Sequence, residues 1–274
     1  MTIAVTVRTG SAVVFAADSK VTTSGIVGRD ESGDLRWVEQ TYDNATKIVH
    51  DRSQTVMAMV AGHASIGQES AMDFFLSKDL HDLSTFGDQD QRLSALIDSM
   101  VDQKKKFWEN ISVSPDEWRG PIILLAGPSI SENSPRIWRI DLEGPGSQQS
   151  ELLNDPGIYL EGSYNETFGL LYGYEPTVLS GLTDQLGIEK DVFRQALQNL
   201  NVLRPIDKLS LWSMPLQDAI ELAVFLATVQ IQMDRFLPGT PACGGPIDVM
   251  VLQTVPTRAI ISLPGKKLHH PINQ

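Results

Sequence analysis

The apolar, β-branched runs of this chain come in an order that excludes most architectures. Ile3 to Arg8 and Ala12 to Ala17 read as strands, joined by the short Thr9-Gly10-Ser11 turn into a hairpin. Lys47 to His50 and Thr55 to Ala61 flank a polar Asp51-Arg52-Ser53-Gln54 turn and form a second hairpin, which ends in Ala61-Gly62-His63-Ala64. Helical spacing then takes over. Ile66 to Leu83 is expected to be a helix burying Ala71, Phe74, Phe75 and Leu80. From Leu93 the row Leu96, Ile97, Met100 and Phe107, with the stem of Lys104, predicts a second helix that leaves Asp98, Asp102 and Lys105 to water. Strands return at Pro121 to Ala126, Arg136 to Asp141 and Ile158 to Glu161. A short helix is expected over Asp191 to Asn201 and a long one over Leu216 to Phe236, whose apolar row is Leu216, Ile220, Ala223, Ala227 and Ile231. Ser213 and Pro215 fit its start, Arg235 complements its negative end, and Pro238-Gly239 stop it. Two last strands, Ile247 to Thr254 and Ala259 to Leu263, close the chain.

Strands, two helices, strands, two helices and strands again lack the βαβ alternation that a parallel sheet requires. The order predicts an α+β fold of two packed, mainly antiparallel sheets flanked by helices, in a single domain spanning 1–274. A boundary would be tolerated best in the Gly- and Pro-containing loop from Asp141 to Ser150. Ser24 to Asn44, with Gly25, Gly28 and Gly33, reads as a loop or extended excursion long enough to imply a role.

Charge and cysteine usage narrow the function. Asp and Glu outnumber Lys and Arg 34 to 22, a formal charge of -12, so the basic footprint that neutralises phosphates is missing and no nucleic-acid partner is expected. The single cysteine, Cys243, cannot form an internal disulfide, and the five histidines (His50, His63, His81, His269, His270) make no HExxH motif; neither a metal nor another cofactor is expected. No run of about 18 apolar residues occurs, and Met1 to Arg8 lacks the basic region and apolar core of a secretory signal. A cytoplasmic protein with no membrane contact is the expectation.

Position 2 holds the most suggestive chemistry. An α-amino group has a pKa near 8 and serves as a base near neutral pH; on Thr it adjoins a hydroxyl that it can activate. Removal of Met1 would expose such a pair at Thr2, on the threshold of a strand. Many ordinary chains begin Met-Thr, so the neighbours decide. Thr2-Ile3-Ala4, a strand ending Phe15-Ala16-Ala17-Asp18-Ser19-Lys20, then Thr46-Lys47-Ile48, then Met59-Val60-Ala61-Gly62-His63-Ala64, resemble in order and spacing the proteasome β-type subunits of the N-terminal nucleophile hydrolases. With no propeptide expected, the chain resembles the simpler bacterial homologues of HslV and Anbu type more than the eukaryotic β subunits that process themselves.

The resemblance implies a four-layer αββα sandwich and a threonine peptidase. Thr2 is then the nucleophile, Lys47 the cation that favours its alkoxide, and Asp18 the carboxylate that orients Lys47. Gly62 supplies a backbone N–H to the oxyanion, and Ser163, in Glu161-Gly162-Ser163-Tyr164, supports the amine. Pocket walls fall on Val21, Ala45, Val60 and Ala64, with Thr22 holding substrate backbone; they favour a neutral apolar residue before the scissile bond, with His63 at the rim or simply in a surface turn. The resemblance also implies a homo-oligomeric ring or related assembly acting on peptides or polypeptides, and leaves an unfoldase partner undetermined.

Two departures stand out. The family's Asp followed three residues later by Ser-Gly-Gly is here Thr240-Pro241-Ala242-Cys243-Gly244-Gly245, with Asp234 as a substitute if Phe236 to Thr240 is an insertion. Additions are expected around Gly25 to Asp43 and Gly173 to Ser210. Two other functions share the sequence: an amidohydrolase using the same nucleophile on a small amide, and a catalytically silent structural subunit that retains Met1.

Overall fold

In the computed structural model, the residues described are 2–29, 35–51, 54, 56–66, 69–77, 98–103, 105–106, 109, 120–128, 134–142, 149–187, 189, 192, 195–196 and 205–263. β1 (Ile3–Arg8) and β2 (Ala12–Asp18) pair antiparallel, Ala4 opposite Ala17. Their turn is closed by Thr9, whose Oγ1 accepts the N–H of Ala12 at 3.0 Å and of Ser11 at 3.3 Å. Every residue of both strands is buried. An antiparallel sheet commonly has one wet, polar face; these strands are apolar throughout because both faces are covered.

β3 (Val21–Arg29) and β4 (Leu35–Tyr42) form a hairpin of their own, Val21 opposite Tyr42. This corrects the reading of Ser24 to Asn44 as a loop. Glycines at 25 and 28 masked the β-branched and aromatic residues Thr22, Thr23, Ile26, Val27, Trp37 and Val38, and the register shifts between Ile26 and Gly28. β5 (Ile48–His50) and β6 (Met57–Gly62) are the expected second hairpin. A two-residue ladder, β7 (Ser65–Ile66) with β8 (Glu69–Ser70), precedes helix α1 (Ala71–Ser77). The helix therefore starts at Ala71 rather than Ile66, after Ser70 Oγ has accepted the Asp73 N–H at 3.0 Å as a helix-starting side chain does. Ala71 and Phe75 are buried as expected; the Phe74 side chain and Leu80 to Leu83 lie outside the described residues. In the next expected helix, 98–103 is helical with Met100 buried and Asp98 and Asp102 exposed, whereas Leu93, Leu96, Ile97, Lys104 and Phe107 lie outside the described residues.

β9 (Pro121–Pro128), β10 (Pro135–Asp141) and β12 (Gly157–Gly162) match expectation, and β11 (Gln149–Leu153) is an additional strand paired with β10. Two helices that the sequence reading lacked follow: α2 (Asn165–Tyr172), ended by Gly173, and α3 (Pro176–Leu186), ended by Gly187. Most of Asp191 to Asn201 lies outside the described residues; 192, 195 and 196 are helical. The long helix is α4 (Leu216–Asp234), and β13 (Ile247–Gln253) and β14 (Ala259–Leu263) complete the order.

Two five-stranded sheets result, β12-β1-β2-β13-β14 and β11-β10-β9-β6-β5, and all their strand pairs are antiparallel. The fold is α+β. Side chains alternate across β1: Ile3, Val5 and Val7 meet Ala219, Ala223, Ala227 and Ile231 of α4, while Ala4 joins a core shared by both sheets, with Phe15, Met57, Met59, Leu124 and Met250. A third core gathers Val60, Phe75, Met100, Ile123 and Leu142. Between the sheets, near the Gly162 end of β12, Arg139 Nε bonds Glu161 Oε1 at 2.5 Å and its Nη1 meets Asp141 Oδ2 at 3.2 Å. Phe15, fully buried where the sheets meet, is the keystone of that core. Phe15→Ala is expected to cost about 3–5 kcal/mol, read as a lowered midpoint of chemical unfolding.

Candidate active site

Thr2 stands one residue before β1, between the ends of β12 and β2, and is 5% exposed. Its carbonyl accepts the Ser163 N–H at 2.7 Å. That approach requires glycine at position 162, which has φ +82° and where a Cβ would lie 1.9 Å from the Thr2 carbonyl oxygen.

The next residue is tied to the carboxylate at the end of β2. Ile3 N–H donates to Asp18 Oδ1 at 3.1 Å; the same oxygen receives Lys47 Nζ at 2.7 Å, and Oδ2 receives the Gly244 N–H at 2.9 Å. The side chains of Lys47 and Asp18 are 9% and 0% exposed. Burial pushes the Asp18 carboxyl above its ordinary value, opposed by the charge and hydrogen bond of Lys47 and by the two backbone donors. Four chain segments converge here: the start of β1, the end of β2, the residue before β5, and the turn before β13. The last is fixed reciprocally, because the Gly244 carbonyl accepts the N–H of Ser19 at 3.2 Å and of Lys20 at 3.0 Å, and Ser19 Oγ donates to the Pro246 carbonyl at 2.7 Å.

In sequence, neither a protein-family model nor a curated protein matches the chain. Solved structures do match its fold. A mutant Anbu protein from Hyphomicrobium sp. strain MC1 superposes with a TM-score of 0.56 at 14% identity, over 98% of this chain and 89% of that one. The Anbu complex of Pseudomonas aeruginosa, solved as a helical assembly, gives 0.51 at 12% identity, over 97% and 88%. The chain has the fold of the Anbu proteins.

Within this Anbu fold, the structure brings Thr2, Asp18, Lys47 and, through its backbone, Ser163 together. Two of the positions expected to wall a pocket attach to the same cluster by backbone: Ala45 N–H donates to the Ser19 carbonyl at 2.8 Å, and Val60 N–H to the Lys47 carbonyl at 3.0 Å. Val21 and Thr22 are half-buried at the base of the β3–β4 hairpin, while the Val60 side chain belongs to the core of Phe75 and Met100. Gly62, φ +74°, ends β6 opposite Pro121; His63 and Ala64 beyond it are exposed, and the Ala64 carbonyl accepts the Ala71 N–H at 2.9 Å where α1 starts. Among the described residues no hydrogen bond joins Gly62 or Ala64 to Thr2.

Asp234, at the end of α4, reaches the turn before β13: its Oδ2 accepts the Cys243 N–H at 2.8 Å. Asp234, the substitute expected from the sequence, thus meets the turn that Gly244-Gly245 marks, across a separation of nine residues. Cys243 is 1% exposed. Its thiol is raised far above the ordinary range, chiefly by burial, then by the charges of Asp18 and Asp234, with Lys47 opposing. It is therefore a protonated, inert group within the field of the Asp18–Lys47 pair. Among the described residues no cluster of three or more His, Cys, Asp or Glu fits a metal, and no helix is long and apolar enough to cross a membrane. The native protein at pH 8 is expected to take up no iodoacetamide, and one equivalent per chain once denatured, by intact mass. Rapid native labelling would contradict the buried, protonated thiol.

Proposed function

We propose that this chain is a threonine-type peptidase subunit of a proteasome-like homo-oligomer, with Thr2 as nucleophile once Met1 is removed. The observation that carries the reading is the buried Asp18–Lys47 ion pair, bonded to the backbone of the residue that follows Thr2. Buried ion pairs are poor stabilisers, because desolvation offsets much of their attraction. Chemistry at Thr2 accounts for this one better than stability does.

In this reading Thr2 Oγ1 attacks the carbonyl carbon of a peptide bond, and its proton passes to the α-amine, directly or through a water. The C–N bond breaks, an ester forms on Thr2, and the proton goes to the departing amine. Water then attacks the ester and restores the hydroxyl. Lys47 favours the alkoxide electrostatically, and Asp18 holds Lys47 in place and balances its charge. The Gly62 N–H faces the oxyanion, and the Ser163 hydroxyl supports the amine. Val21, Ala45, Val60 and Ala64 wall a small apolar pocket that selects a neutral residue, with Thr22 pairing substrate as an added strand.

The same proposal includes a single domain arranged as a four-layer αββα sandwich, supported by one core between the sheets and two between sheet and helix. It also includes a cytoplasmic location and self-association. The helical assembly of the P. aeruginosa Anbu complex supports the latter. So do exposed Val178, Leu182 and Leu186, at helical spacing on α3.

Hydrolysis of fluorogenic peptides with an apolar residue before the reporter tests the reading. Thr2→Ala is expected to abolish turnover while remaining folded by circular dichroism. Lys47→Ala is expected to lower kcat by about a hundredfold, the equivalent of about 3 kcal/mol. Full activity in Thr2→Ala would overturn the nucleophile assignment, and near-normal kinetics in Lys47→Ala would overturn the role of the cation.

A further inference from the structure

Gln230 lies inside α4, 0% exposed, with its carboxamide committed to two helices. Its Oε1 accepts the Thr167 N–H at 3.4 Å. Its Nε2 donates to Glu166 Oε2 and, at 3.2 Å, to Asp234 Oδ1. Beside it, Thr167 Oγ1 donates to the Leu226 carbonyl at 2.9 Å. Glu166 and Thr167 belong to the first turn of α2, shortly after Ser163, whose N–H holds the Thr2 carbonyl. Asp234 in turn takes the Cys243 N–H on its other oxygen, and the adjoining Gly244 N–H reaches Asp18.

The chemistry of this position is selective. Two carboxylates face one nitrogen, and a primary amide supplies two hydrogens for them while its oxygen accepts a third bond. A carboxylate at 230 would set a third negative group against Glu166 and Asp234, and an apolar side chain would leave both without this donor.

We propose that Gln230 is a positioning residue of the threonine site. It locks the turn that carries Ser163 to the turn that carries Cys243 and Gly244. The group that fixes the Thr2 carbonyl and the group that fixes Asp18 are thereby held in one register. This rests on the reading of Thr2 as nucleophile; the mechanical part, that Gln230 holds the 243–244 turn, is measurable without turnover.

The test compares wild type with Gln230→Met, which keeps length but loses all polarity, and Gln230→Glu, which keeps shape but replaces the amide donor. Hydrogen–deuterium exchange is followed in the peptide covering 241–246, with a β2 peptide as reference, and peptide hydrolysis is measured in the same samples. The expected result is about tenfold or more faster exchange at 241–246, with β2 unchanged. In addition, kcat should fall by about 10- to 100-fold while KM moves less than about twofold. If Gln230→Met does not fold, Gln230→Glu decides. Unchanged exchange at 241–246, acceleration shared equally by β2, or a normal kcat would overturn the proposal. An inactive wild type would overturn the peptidase reading, while the exchange result would still decide whether Gln230 holds the turn.

Discussion

The carboxylate of Asp18 is the point on which the rest of this structure is organised. It is fully buried, and a buried carboxylate persists only if it is paired and hydrogen-bonded. Lys47, the Ile3 N–H and the Gly244 N–H meet that demand, each from a different segment of the chain. Removing one partner of such a pair typically costs about 3–5 kcal/mol, because a lone buried charge is left behind. The requirement therefore does more than hold a lysine. It forces the start of β1, the end of β2, the approach to β5 and the turn before β13 to coincide beside Thr2.

The surrounding layers make that convergence rigid. β1 and β2 lie inside their sheet, flanked by β12 and β13, and are covered on one face by α4 and on the other by the second sheet. Side chains so enclosed have little room to relax. On the other side of Thr2, only a glycine at 162 lets β12 end close enough for the Ser163 N–H to take the Thr2 carbonyl. Position 2 is thus held through the main chain on both flanks, its own carbonyl by the Ser163 N–H and the next N–H by the Asp18 carboxylate, which suits a residue whose amine and hydroxyl must act together.

Much of this was legible in the residues themselves. The β1–β2 and β5–β6 hairpins, strands β9, β10, β12, β13 and β14 and the long helix follow from β-branched runs and three-and-four spacing, because burial writes those periods directly. Asp18 and Lys47 were legible only through the resemblance to the proteasome β-type subunits, since a strand-end charge taken alone is ordinarily solvated at the surface. The β3–β4 hairpin was not, because its glycines read as loop punctuation. Nor was the late start of α1, which depends on a two-residue ladder too short to leave a pattern. Helices α2 and α3 escaped notice because α2 follows a Gly-Ser-Tyr turn and carries an internal glycine, while α3 begins at a proline and includes another. The contacts of Gln230 with Glu166 and Thr167 join positions 64 and 63 residues apart, and no local spacing encodes them, whereas Asp234 lies one helical turn from Gln230 and nine residues from Cys243.

The central claim is that Thr2 becomes an amino-terminal nucleophile. It is tested most directly by the intact mass of the purified protein before and after incubation with a peptide epoxyketone, whose stable adduct needs both the hydroxyl and the free amine of an amino-terminal threonine. The account predicts a chain lacking Met1 that gains one adduct, and no adduct on Thr2→Ala. A chain that takes no adduct, whether it retains Met1 or has lost it, would contradict it.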